Sequence, residues 1–369
     1  MNEELRRFDI ALAVIPGVGG KSAKKLVSHC GTAKAVFESV AGKLQRIDGI
    51  SERMAKLILS ERDAALKRAD EEIEKAQKAD IQILHYTDKA YPELLKHCFD
   101  APAVLFFKGD ADLNNPKNIS IVGTRKATAY GKGFTRDIVA AIARHKPLIV
   151  SGLAYGIDIE AHRSALHHDL PTVGVMASGM DIIYPASHHA TAQQMTVEGG
   201  GLMTEQYLGT RPDARRFPAR NRIIAGMTKL TLVVEASEKG GALITAGLAN
   251  SYDRHVAAVP GQVSSEFSKG CNYLIKTHQA HLVTGVEDIE KLLNWDVETK
   301  AETPSIDLEA LSEPEKRVYQ VLQPIVSMEI DELSFRTEIP VHQLASLLLN
   351  MEFRGLIRAM PGKQYAWGG

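Results

Sequence analysis

Residues 119–152 read ISIVGTRKATAYGKGFTRDIVAAIARHKPLIVSG, and this stretch decides the fold of the largest part of the chain. It begins and ends with short apolar runs, ISIVG and LIVSG, and the segment between them is long enough for a helix. Strands that are apolar along their whole length are buried on both faces, and a helical connection makes two such strands parallel. The stretch therefore predicts a strand, a helix and a second, parallel strand.

The same alternation continues to about residue 293. Three further apolar runs, TVGVMASG (172–179), LTLVVEA (230–236) and HVAAVPG (255–261), are each followed by a segment of helical length. Upstream, IQILHY (81–86) and AVLFFKG (103–109) predict strands that lead into this domain. We predict an α/β fold in which residues 67–295 form an extended Rossmann-like core with a parallel sheet.

The N-terminal residues 1–66 predict short helices separated by glycine turns. IPGVG (15–19) precedes one amphipathic segment and IDGI (47–50) precedes another, which Ser51 caps in our prediction. This arrangement resembles a tandem helix-hairpin-helix or SAM-like domain, in which Lys21, Lys24 and Lys25 would face DNA phosphates. Plain helical packing or a protein-contact role is the alternative. The charged run at residues 62–80 predicts a solvated connecting helix.

The C-terminal part predicts a separate small domain. Residues 296–307, DVETKAETPSID, lack apolar periodicity and read as a linker. Residues 308–369 contain three helical patterns followed by a hairpin pattern, which is the order of a winged helix. Both DNA and protein binding remain open for this domain.

Composition sets broad limits. The 369 residues include 44 basic and 45 acidic side chains, so bulk charge points to no partner. Cys30, Cys98 and Cys271 are widely separated, which argues against a disulfide framework and a cysteine metal site and favours a reducing cytoplasm. Neither a membrane-spanning run nor a signal peptide is found, and we expect no metal, cofactor or membrane partner.

The loops that follow the predicted strands carry phosphate-binding chemistry. In open parallel sheets, ligands bind at the carboxyl ends of the strands, where glycine turns and helix N-termini present free amides. The predicted contacts in these loops are Gly123, Thr124, Arg125 and Lys126, then Ser151 and Gly152, then Lys239, Gly240 and Gly241. The alternative is that the glycines only make turns and the cations are solvated.

The segment RPDARRFPARNR (211–222) is the strongest functional signal. It gathers Arg215, Arg216, Phe217, Arg220, Asn221 and Arg222. Arginine makes bidentate phosphate contacts and an aromatic ring stacks on a base, which are the two functions of a single-strand binder. A structural ion-pair network is the alternative. On the binding interpretation, Arg125→Ala combined with Arg220→Ala reduces the salt dependence of binding.

Enzyme motifs are missing from the sequence. No G-x-G-x-x-G, complete Walker A loop or G-x-S-x-G occurs, and His162 is expected to be a packed, hydrogen-bonded histidine. The acids Asp158, Asp181, Glu205 and Glu235 form no recognisable catalytic pair, and we expect them to cap helices or orient the arginines. A non-catalytic protein is therefore predicted.

The ordered motifs of residues 80–293 resemble the DprA/Smf family. They are IVGTR, YG (130–131), SGLAYGID with His162, ASG and YP, FPARNRIIAG, VVEA, the glycine turn with LITA, VPG and G-x-N-x-L-I (270–275). One departure is Gly240-Gly241-Ala242, where the family commonly has S-G-S. By motif match, Arg125 is a pocket arginine and Phe217 stacks a base, while Arg215, Arg216, Arg220 and Arg222 lie in the block that lines the pocket.

The resemblance also implies a function. Members of the family bind and protect single-stranded DNA, dimerise through the core and load the RecA recombinase, during natural transformation in competent bacteria and during recombination. Single-strand-binding protein is a further candidate partner. Two rivals stay open: a nucleotide-binding enzyme of the phosphoribohydrolase-like Rossmann class, although its P-G-G-x-G-T loop is missing, and a scaffold whose core binds only a small nucleotide.

Overall fold

The computed structural model describes residues 3–295, 311–323, 327–354, 356–360 and 364–367. The chain divides into two compact units, residues 1–296 and 297–369, each of which is described by itself. Within the described ranges, no helix combines the length and the apolar character that a bilayer crossing requires.

The first unit is built around a nine-stranded sheet. Its strands are β1 Gln82–His85, β2 Val104–Gly109, β3 Asn118–Val122, β4 Leu148–Ser151, β5 Thr172–Val175, β6 Gly201–Thr204, β7 Leu230–Val233, β8 His255–Ala258 and β9 His281–Leu282. Their spatial order is β1-β2-β6-β5-β4-β3-β7-β8-β9. The pairs from β6 to β9 are parallel, whereas β2 is antiparallel to both β1 and β6. The predicted α/β class with a mostly parallel sheet is confirmed.

Helices cover both faces of this sheet and form the N-terminal region. They are α1 Glu3–Val14, α2 Gly20–Cys30, α3 Ala33–Glu38, α4 Ala41–Leu44, α5 Glu52–Ser60, α6 Arg62–Lys78, α7 Glu93–Lys96, α8 Ala129–Ile142, α9 Ile157–His167, α10 His189–Val197, α11 Arg216–Gly226, α12 Gly241–Ser251, α13 Lys269–Lys276 and α14 Val286–Leu293. Successive strand residues enter opposite cores: Ile121 joins one cluster and Val122 the other. This is why the strands are apolar throughout rather than alternating.

Strand β6 was not predicted from the sequence, because it begins with a glycine and directly follows two others, Gly199 and Gly200. It lies between β5 and β2, with Gly201 paired to Val173 on one side and to Gly109 on the other. A Cβ atom at Gly201 would collide with the Phe107 ring and the Lys108 carbonyl. The glycine is therefore required by the close approach of β2, although it weakens the strand pattern in the sequence.

The N-terminal helices α1–α6 share one apolar core with part of the sheet. Phe8 and Leu26 belong to the same buried cluster as Phe106 of β2 and Leu202 of β6. The Ser51 hydroxyl accepts a hydrogen bond from the Met54 amide (3.2 Å) and so caps α5 as predicted. Helix α6 is confirmed as a helix, but it is only partly solvated, since one of its faces is buried.

Two of the three lysines near the first glycine turn have partners within the chain. Lys24 donates to the Lys96 carbonyl (3.1 Å) and Lys25 pairs with Asp48 (2.8 Å). A Cβ atom at Gly20 would meet the Ala101 carbonyl, so the turn packs closely on the core. This geometry favours the packing role that the sequence left open for the region.

The second unit is a winged helix, as predicted. It contains α15 Glu313–Leu322, α16 Ile330–Thr337 and α17 Val341–Phe353, together with β10 Met328–Glu329, β11 Ile357–Met360 and β12 Gln364–Trp367 in the order β10-β12-β11. Val318, Leu333, Leu344 and Leu348 form its core. Helix α17 contains no Lys or Arg, and it leaves Leu349 and Phe353 exposed.

The domain boundaries drawn from the sequence stay predictions. Helix α6 runs continuously across the boundary proposed between residues 66 and 67. The linker predicted at residues 296–307 lies outside the described residues.

Candidate nucleic-acid interface

Strand order places a cleft at the centre of the sheet. Strand β3 has β4 on one side and β7 on the other, so the direction of the strand order reverses between β3 and β7. The carboxyl ends of parallel strands at such a switch point diverge into a crevice where ligands bind. A cleft of about 750 Å³ lies there, between the loop after β3, the loop after β7 and helix α11. We call it the main cleft.

Glu235, two residues after the end of β7, fixes the loop after β3. Its carbonyl accepts from the Thr124 amide (2.7 Å), and its carboxylate accepts from the Thr128 amide (2.9 Å) and hydroxyl (2.6 Å). The Thr128 hydroxyl in turn caps α8 by accepting from the Gly131 amide (3.3 Å). These hydrogen bonds therefore fix the backbone of the loop that presents the exposed cations Arg125 and Lys126.

An exposed arginine and an aromatic ring meet at the wall of the main cleft. The Arg125 guanidinium carbon lies 5.3 Å from the centre of the Phe217 ring, which is a cation–π distance. The Tyr184 ring lies 5.9 Å from the same ring. This arrangement offers a phosphate contact and a stacking surface side by side. Tyr184 was missed as a site residue because only the strand order brings its loop to α11.

Arg220 lies buried in the floor of the cleft, where it has a structural role, and its contact with DNA stays a prediction. It is 5% exposed, and its guanidinium donates to the carbonyls of Gly152 and Val175. Burial lowers the pKa of Arg220 to about 10, so the group stays charged near neutral pH. Burial raises the pKa of Asp158 beside it, while the Arg220 charge and three backbone amides act in the opposite direction. Replacing Arg220 would therefore test folding rather than salt dependence.

Three further predicted contacts have partners inside the protein. The buried Ser151 hydroxyl donates to the Ile121 carbonyl (2.6 Å) and so joins β4 to β3. A Cβ atom at Gly152 would collide with Arg220, which explains the glycine by packing. Arg222 pairs with Glu205 and donates to the Asp100 carbonyl, so its charge is already compensated. Direct contact of these residues with DNA is not supported by their positions.

The remaining predicted residues divide between the cleft and its surroundings. Those that line the main cleft are Gly123, Thr124, Arg125, Lys126, Phe217, Arg220, Asn221, Gly240 and Gly241. Arg215 is exposed and pairs with Asp213 (3.1 Å), Arg216 donates to the Arg211 carbonyl (2.6 Å), and Lys239 is exposed. Contact of any of them with DNA stays a prediction.

The titratable groups behind the cleft have structural roles. His162 is fully buried, its Nδ1 lies 2.7 Å from the Thr172 hydroxyl, and burial lowers its pKa to about 3, as expected of a packed histidine. The Asp181 carboxylate accepts from the Gly209 amide (2.9 Å). Among the described residues, no three His, Cys, Asp or Glu side chains are grouped in a way that could hold a metal ion.

Comparison with known sequence families gives three matches along the chain. Residues 82–294 match the family described as DNA recombination-mediator protein A, residues 301–363 match the DprA winged helix domain, and residues 9–63 match the SAM-like helix-hairpin-helix tandem. The DNA processing protein DprA of Bacillus subtilis is 40% identical over 210 residues, which cover 57% of this chain and 70% of that protein.

Two solved structures are similar to this fold. The X-ray structure of DNA processing protein A from Streptococcus pneumoniae superimposes with a TM-score of 0.66 at 30% identity, covering 79% of this chain and 97% of the other. The structure of DNA processing protein A from Helicobacter pylori, described for its unique single-stranded DNA binding mode, gives a TM-score of 0.52 at 28% identity, covering 58% and 96%.

Proposed function

Since the chain belongs to the DNA recombination-mediator protein A (DprA/Smf) family, we propose that it binds single-stranded DNA in the main cleft and loads the RecA recombinase onto that strand. The bound strand is protected until RecA takes it over, during natural transformation and other recombination. Single-strand-binding protein is the expected competitor on the same strand. This function is a transfer of DNA between proteins, and no covalent bond is made or broken in it.

The observation that carries the proposal is the contact between Arg125 and Phe217. A single strand exposes both phosphates and base faces. A cation beside an aromatic ring can bind a phosphate while the ring stacks on the adjacent base. The ring lies 5.3 Å from the guanidinium carbon, and Arg125 itself is exposed to solvent. A duplex hides its base faces in the stack, so a site of this kind favours the single strand.

The hydrogen bonds and burial of Glu235 and Asp158 argue against a catalytic role for these two acids in a nucleotide hydrolase. Both carboxylate oxygens of Glu235 accept hydrogen bonds from Thr128, and Asp158 is buried beside Arg220. A hydrolase needs a carboxylate that can reach water or substrate. These two acids are instead occupied in holding the loop and the floor of the cleft.

A homodimer is the second part of the proposal, carried over from the family resemblance. Among the described residues, β9 is the last strand of its sheet and contains the exposed Leu282, and an edge strand can associate with a second chain. Sedimentation equilibrium should give the mass of two chains, and a single-chain mass at micromolar concentration would contradict it.

The central experiment is binding of fluorescent oligothymidine, measured by anisotropy at several salt concentrations with a matched duplex and AMP as competitors. We expect tight, salt-sensitive binding that neither competitor displaces efficiently. Weak strand binding with efficient displacement by AMP would favour the nucleotide-binding alternative, and release of free base from nucleoside monophosphates would establish it.

RecA loading needs its own measurement. RecA filament assembly on a strand coated with single-strand-binding protein should be faster in the presence of this chain. A variant that cannot bind DNA, such as Arg125→Gln combined with Phe217→Ala, should lose the acceleration. Normal strand binding with no effect on assembly would limit the function to strand protection.

A further inference from the structure

A second cavity lies next to the main cleft, on the other side of the loop after β3. Its volume is about 440 Å³, and it is bounded by that loop, the loop after β4 and the first turns of α8 and α9. Arg125 and Lys126 line both cavities. We call it the side cavity. Its lining includes Lys126, Lys132, Tyr155, Glu160 and Arg163.

The side cavity carries uncompensated positive charge. Lys126, Lys132 and Arg163 are exposed, and no carboxylate of the described residues lies within 4.0 Å of their charged nitrogens. Glu160 is the acid in its lining, and it is paired with Arg136 at 2.8 Å. Three cations that line one cavity without a carboxylate partner attract anions, and a chain of phosphates can contact more of them than one small ion can.

An aromatic ring completes the side cavity. Tyr155 is 49% exposed, and its hydroxyl accepts from the Ser187 hydroxyl (3.3 Å). Its ring makes an edge contact with the His188 ring, with the centres 4.9 Å apart and the planes at 72°. The neighbouring Gly156 has φ +80° and lies against the Thr124 carbonyl, where no Cβ would fit. Tyr155 is therefore held by these contacts while the residue as a whole stays about half exposed.

We propose that the side cavity is a second nucleotide subsite for the same single strand. In this arrangement, which rests on the proposed function, the strand leaves Phe217 and crosses the loop at Arg125. A following base then stacks on Tyr155, and Lys126, Lys132 and Arg163 hold the phosphates. The site takes a nucleotide as part of a polymer, because three cations line it and a chain of phosphates supplies a partner for each of them.

The test uses the full chain and a series of oligothymidines, from about four nucleotides, which fit one subsite, to about sixteen, which reach both. Tyr155→Ala should weaken binding of the long strand about 5- to 150-fold and leave binding of the shortest strand unchanged. Tyr155→Phe, which keeps the ring, should bind like the unaltered protein. Phe217→Ala should weaken binding at every length.

A second pair of substitutions tests the phosphate contacts. Lys132→Gln combined with Arg163→Gln should lower the salt slope for the long strand by up to about 1.4, and leave the slope for the shortest strand unchanged. Thermal midpoints of all variants serve as the folding control.

The outcomes separate this inference from the proposed function. If Tyr155→Ala has no effect at any length, or the same effect at every length, the second subsite is refuted while single-strand binding stands. If the unaltered protein does not bind the strands, or if Phe217→Ala has no effect, the proposed function itself fails.

Discussion

Substitution of the Arg125–Phe217 pair separates stacking from charge in the main cleft. Phe217→Ala removes the ring that we propose stacks on a base, and Arg125→Gln removes a charge while keeping a polar side chain. Stacking is worth about 1–3 kcal/mol per base, so Phe217→Ala should weaken oligothymidine binding about 5- to 150-fold at every salt concentration. Arg125→Gln should instead reduce the salt slope by about 0.7, the contribution of one single-strand phosphate contact.

The two residues are also coupled, because the guanidinium lies over the ring at 5.3 Å. An exposed cation–π contact is worth about 0.5–1 kcal/mol, and it holds Arg125 in place in the free protein. The ring thus helps both the base contact and the phosphate contact. The double variant should therefore lose less affinity than the two single losses added together, by about that amount.

The assay is anisotropy of labelled oligothymidine across a salt series for the four proteins of the cycle. Phe99→Ala is the matched control, because Phe99 is an exposed aromatic residue that packs on Tyr252 outside the main cleft. The reasoning is refuted if Phe217→Ala weakens binding less than about twofold, or if it changes the salt slope as much as Arg125→Gln does.

Three other predictions concern stability and the second unit. Arg220→Met leaves Asp158 and two carbonyls buried without their cation, so it should lower the free energy of unfolding by about 3–5 kcal/mol; a change below about 1 kcal/mol in urea titrations would refute the structural role. The pKa of His162 falls to about 3 on folding, so its unfolded form binds a proton first as the pH falls below about 6.5, and stability is lost from there downwards. The free energy of unfolding of the unaltered protein should fall by about 2 kcal/mol more between pH 7 and pH 5 than that of His162→Gln. The check is the difference between the urea midpoints at pH 7 and at pH 5, and the same difference in both proteins would contradict the prediction. Removal of residues 297–369 should leave strand affinity and salt slope unchanged within about twofold, since α17 carries no Lys or Arg; a reduced slope would assign phosphate contacts to the winged helix.

The class of the fold could be predicted from the sequence, but the order of the strands could not. Each apolar run that follows residue 117 gave a strand, because burial on both faces leaves a continuous apolar signature. Strand β6, which begins in a run of glycines, and strand β9, which has two residues, lack that signature, and their pairing is imposed by neighbours that are distant in the chain. The sequence therefore could not place the cleft between β3 and β7 in particular.

The arginine-rich segment illustrates a second limit. Composition alone treats Arg220 and Arg125 as equivalent cations, whereas the fold buries one and exposes the other. Helical periodicity could have separated them, because Arg220 stands three and four residues before Ile223 and Ile224, on the buried face of α11. An arginine at an apolar position of a helix is better interpreted as a buried structural contact than as a phosphate ligand.

The held loop after β3 has a kinetic consequence. The Thr124 carbonyl accepts from the Ile157 amide (3.3 Å), and the Thr124 amide donates to Glu235 (2.7 Å), so this loop is tied to α9 and to β7 before any ligand arrives. Binding to a preformed loop costs little ordering entropy, because the loop is already fixed. Association and dissociation of the ligand therefore require no rearrangement of the backbone. The protein can then bind a strand tightly and still exchange it rapidly. Many weak contacts on a rigid surface can be released one nucleotide at a time, as a competing protein binds the same strand.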